Sequence, residues 1–338
     1  MLRTVRGPLG LTLVAALVLA ACGGGTTQPQ PTTAATAAPT GPRLGSFDRP
    51  IIMAFVPSQD TARVSSSGKA IAAFLEKTTA LKWDVKVPTS YAATIEGMCA
   101  GQIDVAWLAP LSFVLAADKN CADVMLGTLR KNPLSGKLET TYDSQILVRA
   151  DSGINDVKGL KGKKFAFVDP LSASGTLFPT LTIRQQGGED PKTFFSQTIF
   201  AGGHDKAVLA LYQGQVDGAA SFIDVRDDLE KTFPDIKQKT KRISTSGPIP
   251  NDTVSVRKGF PAELRDKIQS ALIEYSTGDD GKKTLKSLYN IDGLDKVDPK
   301  VFDSVREAAK LAGIDLTAEA AKTARPVATP APSPTKAP

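Results

Sequence analysis

Histidine is nearly missing from this sequence, His204 being the only one among 338 residues. Cysteine is scarce too: there are three, and no two of them form a CxxC pair. Neither HExxH nor GxSxG occurs, and no group of acidic residues has metal-ligand spacing. These absences exclude the usual zinc ligand sets, a dithiol exchange centre and the nucleophile elbow of a serine hydrolase. Lys and Arg outnumber Asp and Glu by 41 to 35, a formal net charge of +6, yet no basic run gathers them. A chain without a basic stripe has no electrostatic footprint for nucleic acid. The segment SSSGKA, Ser65 to Ala70, lacks the leading glycine and the hydroxyl residue after lysine that a phosphate loop needs, so it reads as a helix start.

What is present begins with a processing signal. The first residues, MLRTVRGPLGLTLVAALVLAAC, put Arg3 and Arg6 ahead of an apolar stretch from Leu9 to Ala21, which ends in small residues before Cys22. That order predicts a secretory signal over 1–22, and Leu19-Ala20-Ala21-Cys22 resembles the bacterial lipobox at which the signal is cut and the cysteine carries lipid. A membrane-spanning helix is the weaker reading, since the run falls short of the about 20 apolar residues a bilayer needs. Residues 23–46 and 317–338, rich in Gly, Thr, Ala and Pro, hold too few apolar groups to offset the entropy of ordering. They are expected as a disordered tether and a disordered tail, with the folded part extracytoplasmic and anchored to the membrane through lipid on Cys22. In that oxidising compartment Cys99 and Cys121 are expected to form a disulfide, with two small buried hydrophobes as the alternative.

About 270 residues lie between tether and tail, more than one core usually serves, so two lobes are expected. Apolar runs alternate with amphipathic segments. Pro50 to Val56, Trp83 to Val87 and Ile103 to Leu108 read as strands, and Ser66 to Thr79 and Ala92 to Ala100 as helices. The alternation predicts an α/β fold of mixed, mostly parallel sheets flanked by helices. A strand from Gln145 to Arg149 carries the chain into a second lobe, and it returns around TSGPIPNDTVSV, where Thr253 to Val256 is a strand. Lobe 1 is thus 47–144 plus 247–316, lobe 2 is 145–246, and two crossings imply a hinge and a cleft. After Gly259 only helices are expected.

One internal similarity runs without a gap. VKVPTSYAATIEGMCAGQIDVA, from Val85, aligns with TIFAGGHDKAVLALYQGQVDGA, from Thr198. Gly101 falls on Gly214, Asp104 on Asp217 and Tyr91 on His204. Two structurally related units explain this, and convergence of helix-to-strand turns on Gly and Asp is the alternative. In either case Tyr91 and His204 open helices that follow strands, the end of a parallel sheet where ligands bind.

The stretch DPLSASGTLFP, from Asp169, is a turn that feeds a helix after the buried strand Lys164 to Val168. Free N–H groups and the positive end of the helix dipole make such a place ready for an anion. Ser172, Ser174 and Thr176 add hydroxyls, and Gly175 lets a ligand approach the backbone. Taken alone, the same residues are ordinary N-caps. His204 is open to two readings as well, a ligand contact or a satisfied core residue. Asp224, after the strand VDGAASF, and Asp252, in the return crossing, are ligand candidates or turn formers.

Four motifs in order resemble those of substrate-binding lipoproteins of phosphonate, phosphite or phosphate ABC transporters. They are SYAATIEGM, IDVAWLAPLS, DPLSASGTLFP and AGGHDKAVLAL, within a similarity covering roughly Arg49 to Tyr289. The resemblance implies a type II periplasmic-binding-protein fold, two lobes closing on a ligand, and a binding protein rather than an enzyme. It implies that Tyr91, Ser172, Ser174 and His204 hold the phosphonyl oxygens, together with helix N–H groups. Asp224 and Asp252 match positions that hold a ligand ammonium in aminoalkylphosphonate-binding members. Two positions depart: Ala173 stands where a threonine hydroxyl can occur, and Leu108 where a pocket aromatic hydroxyl can. No Lys or Arg falls within the motifs, so neutral donors and dipoles are expected to hold the anion, with a protonated His204 as a further option. The expected partners are a phosphorus oxyanion, an ABC permease and the membrane, for a monomer with no cofactor and no metal. A sensory lipoprotein serving a kinase and an extracytoplasmic phosphoester hydrolase are the alternatives.

Overall fold

The computed structural model describes residues 42–132, 135–315 and 318. The signal, Cys22, most of the tether and nearly all of the tail lie outside the described residues. Leu44 is already buried against the core, and Gly45 accepts a backbone hydrogen bond from Lys82 at 2.8 Å. The fold therefore begins before residue 47, because one leucine in an otherwise polar stretch finds an apolar seat.

Along the chain the strands are β1 (Ile51–Phe55), β2 (Trp83–Lys86), β3 (Val105–Leu108), β4 (Ala122–Lys131), β5 (Leu138–Glu139) and β6 (Thr141–Arg149). They continue as β7 (Lys164–Phe167), β8 (Gln197–Phe200), β9 (Gly218–Phe222), β10 (Thr240–Pro250), β11 (Thr253–Arg257) and β12 (Gly293–Asp295). One sheet has the order β12-β4-β11-β3-β1-β2, with β5 on β4, and the other β10-β6-β9-β7-β8. In each, a parallel trio (β3-β1-β2 and β9-β7-β8) continues through antiparallel strands. β3 and β9 are buried along their whole length, as strands covered by helices on both faces must be.

The internal similarity appears as matching structure. β2, the helix Tyr91–Cys99 and β3 repeat as β8, the helix His204–Tyr212 and β9. Gly101 (φ +70°) and Gly214 (φ +74°) both take the left-handed turn after their helix, a conformation open to glycine at little cost. Asp104 accepts from Ile52 N at 3.0 Å, and Asp217 from Lys164 N at 2.9 Å, each tying its loop to the central strand of its trio.

Three expectations change. β6 starts at Thr141, ahead of Gln145, because Thr141 to Ser144 pair with the end of β10. The last part of the chain is not helical throughout: β12 pairs antiparallel with β4, between the helices Asp279–Tyr289 and Asp303–Leu311. The first helix runs Thr61–Thr79, longer than expected, because Asp60 caps it by accepting from Arg63 N at 2.8 Å. Cys99 and Cys121 are joined in a disulfide with Cα atoms 4.7 Å apart, linking the helix Tyr91–Cys99 to the start of β4.

Candidate functional site

The carboxyl ends of both parallel trios meet at one place. There β1 leads into Ser58 and Gln59, β2 into Tyr91, β7 into Ser172 and Ser174, and β8 into His204. These residues wall a small, tightly closed cavity between the two sheets, together with Arg130, Tyr142, Phe222, Asp252 and Tyr289. Hydrogen bonds between the lobes close over it: His204 N donates to Ser58 O at 2.8 Å, and Ser112 Oγ to Leu171 O at 3.2 Å. Tyr91, Ser172, Ser174 and His204 are all buried.

The turn after β7 is built by its own side chains. Asp169 Oδ1 accepts from Leu171 N at 2.8 Å, bending the chain, and Ser172 Oγ accepts from Gly175 N at 3.1 Å, capping the helix that follows. That helix runs 173–187, opening and closing in wide π turns around Phe178–Thr182. A Cβ on Gly175 would lie 2.4 Å from Val168 and 2.9 Å from Ser172 Oγ, so only glycine lets the turn fold against β7 this closely. Ser144 Oγ donates to Ser174 O at 2.7 Å and pins the turn to β6. The Gly175 N–H is taken by Ser172 Oγ, and Ser174 hydrogen-bonds Tyr142 through its side chain and its backbone, tying the turn to β6 a second time.

His204 is oriented by hydroxyls. Its Nδ1 lies 3.1 Å from Ser221 Oγ and its Nε2 3.5 Å from Ser172 Oγ. Burial, then the nearby Arg130 guanidinium, pushes its pKa down to about 3, so the imidazole is neutral at ordinary pH. Tyr91 stays a neutral phenol, its pKa raised by burial and by the Asp169 carboxylate, and its hydroxyl has no partner in the protein.

Arg130 is the residue that the sequence motifs missed. It lies near the end of β4, outside all of them, and donates from Nη2 to Asp252 Oδ2 at 2.5 Å across 122 residues. Its guanidinium lies over the rings of Tyr142 and Phe222, 4.9 and 5.4 Å from their centroids, and its Nε is buried without a partner. The expectation that only neutral groups face the anion is corrected: the cavity holds one cation. The available signal was an arginine directly following the mostly apolar run VMLGTL.

Not every candidate reaches the cavity. Thr176 donates its hydroxyl to Asp169 O at 2.8 Å and lies on another surface, beside Phe200. Gly175 shapes the turn but does not line the cavity. Asp224 faces away from it, held by Arg226 Nε at 2.9 Å and Nη2 at 2.6 Å and by Gln145 Nε2 at 3.1 Å. Burial raises the Asp224 pKa, and these contacts outweigh that and leave it below the usual carboxylate value. Asp252 does line the cavity, and burial raises its pKa despite Arg130. The departing residues Ala173 and Leu108 are fully buried and do not line it.

The sequence profile of the family described as ABC transporter, phosphonate, periplasmic substrate-binding protein matches residues 53–302. The chain belongs to this family. Among relatives, the phosphate-import protein PhnD of Mycolicibacterium smegmatis is 30% identical over 262 residues, covering 75% of this chain and 77% of that protein. The phosphonates-binding periplasmic protein of Escherichia coli is 29% identical over 218 residues, covering 63% of this chain and 62% of its own. In solved structures, PhnD1 from Prochlorococcus marinus, in complex with methylphosphonate, superposes with a TM-score of 0.68 at 19% identity, covering 78% of this chain and 98% of that one. A binding protein component of an ABC phosphonate transporter from Pseudomonas aeruginosa gives 0.66 at 23%, covering 81% and 96%. At these identities the structures establish the shared fold, two mixed sheets flanked by helices in the type II periplasmic-binding-protein arrangement. Membership makes this chain an extracytoplasmic substrate-binding component of an ABC transporter, and such components bind and release rather than catalyse.

Proposed function

We propose that the interlobe cavity captures a small phosphorus oxyanion, such as phosphate, phosphite or methylphosphonate, and that the closed, loaded protein hands it to an ABC permease. The observation that carries this reading is a pair of orphans. Tyr91 Oη and Arg130 Nε are buried donors without protein partners, on residues that line one cavity with Ser172, Ser174 and His204. A buried donor left unmade costs about 1–3 kcal/mol, and a tetrahedral oxyanion offers acceptors in several directions at once. The positive end of the helix 173–187 adds to the attraction. Asp252 contributes the opposite chemistry, since its carboxylate accepts only from a protonated ligand oxygen. Hydrogen phosphate supplies one, whereas sulfate would set acceptor against acceptor. Lipid on Cys22 would keep the protein near its permease.

The test is a thermal-shift panel on the purified protein with phosphate, phosphite, hypophosphite, methylphosphonate and sulfate. Binding to the folded state raises the melting temperature by mass action. A rise with one or more phosphorus oxyanions and none with sulfate is expected, and no rise with any of them would overturn the reading.

A further inference from the structure

Charge in the cavity is arranged as a closed pair. Arg130 comes from β4 of the first sheet, and Asp252 immediately precedes β11 beside it, the two segments being locked by Thr128 N donating to Asp252 O at 2.9 Å. Their side chains are 9% and 14% exposed. The guanidinium is further held against Tyr142 of β6 and Phe222 of β9, both from the second sheet, so closing the lobes fixes it in place. Asp252 is the only carboxylate among the described residues lining the cavity. The nearby Asp224 is committed to Arg226.

An ammonium group entering this cavity would have nowhere to go. It would have to displace the guanidinium from its carboxylate and both rings, or remain buried beside a cation without a counterion. From this we infer that Arg130 is a specificity-determining residue: it supplies from the protein the positive charge that balances Asp252, and so admits amine-free phosphorus oxyanions while excluding aminoalkylphosphonates. The inference rests on the cavity being an oxyanion site, and it names the ligand class of that site. The remaining Arg130 N–H groups, Nε among them, serve the ligand oxygens, so one side chain both attracts the anion and rejects the amine.

Ethylphosphonate and 2-aminoethylphosphonate, which differ by the amine, separate these roles in titration calorimetry, with phosphate and methylphosphonate as further probes. The wild type is expected to bind an amine-free ligand at least 100-fold more tightly than 2-aminoethylphosphonate. Arg130→Gln is expected to weaken the amine-free ligands at least tenfold and to strengthen 2-aminoethylphosphonate at least tenfold, because Asp252 is left bare. Should Arg130→Gln fail to fold, as circular dichroism would show, the double variant Arg130→Gln/Asp252→Asn, with no charge left in the pair, is read in its place. There the discrimination is expected to shrink to less than tenfold. Wild-type protein that binds 2-aminoethylphosphonate as well as ethylphosphonate overturns the inference, as does a variant that keeps the wild-type preference. Wild-type protein that binds none of the four ligands overturns the oxyanion reading itself, and the inference with it.

Discussion

His204 Nδ1 sits 3.1 Å from Ser221 Oγ, so the one imidazole in the chain is aimed by a serine of β9 and not by a carboxylate. Its other nitrogen faces Ser172 in the cavity, and its ring packs edge-on against Phe222 at 4.8 Å. A histidine held by neutral groups in a dry wall keeps its neutral form and offers one donor and one acceptor. This suits reversible capture, in which hydrogen-bond matching selects the ligand without a permanent second cation.

The depressed His204 pKa makes stability pH-dependent. In the unfolded chain the imidazole takes up a proton near its usual value of 6.5, and in the unliganded fold only near 3. The unfolded state therefore binds more protons between these values, and stability falls as pH drops through that window. Against His204→Gln, in which the other titrating groups are retained, the wild type should lose roughly 1.4 kcal/mol of relative stability for each pH unit below 6.5. Urea denaturation of both proteins from pH 7.5 to 4.5 measures this. A constant difference across the range would show that His204 does not stay neutral.

Tyr91→Phe separates stability from binding. The substitution removes a fully buried hydroxyl that has no partner in the protein. The ligand-free protein should become more stable by about 1 kcal/mol, while affinity for the oxyanion should fall roughly 10- to 150-fold, since a buried hydrogen bond to a charged group is worth about 1.5–3 kcal/mol. Melting temperature and calorimetry on the same sample give the two signs. Lower stability of the free protein would mean that the hydroxyl already has a partner.

A latch lies on the rim between the lobes. Arg63, in the helix Thr61–Thr79, reaches across to Asp228 with Nη1 3.5 Å from Oδ2, and it also donates to Gln59. Asp205 lies close by on the second lobe, its pKa raised by burial, with Arg63 among the charges that oppose this. Arg63→Ala should speed ligand dissociation about two- to fivefold, as expected for a partly exposed pair worth up to about 1 kcal/mol. Stopped-flow release rates would show it, and the effect should shrink at high salt. An unchanged release rate would mean that the pair plays no part in closure.

Local chemistry made much of this protein legible in its sequence. Apolar runs bounded by turn residues marked strands, small hydroxyl residues and glycine marked the helix starts, and the repeated Gly-Gln-(Ile/Val)-Asp turn marked the two matching trios. Such signals survive in one dimension because capping, turn geometry and strand periodicity act over a few residues. They brought Tyr91, Ser172, Ser174 and His204 forward, and all four line one cavity. Asp224 and Thr176 were equally plausible by type. Both are taken by near neighbours in the chain, Asp224 by Arg226 two residues on and Thr176 by the carbonyl of Asp169, local contacts that residue type alone did not reveal. Arg130 lay outside every motif, since its pairing with Asp252 depends on the antiparallel register of β4 and β11, in which Gly127 stands opposite Thr253. Local sequence thus determined where donors could be offered, and tertiary structure decided which charges face the ligand. The physical reason is that an ion pair is set by distance through space, and here that distance is fixed by strands more than a hundred residues apart in the chain.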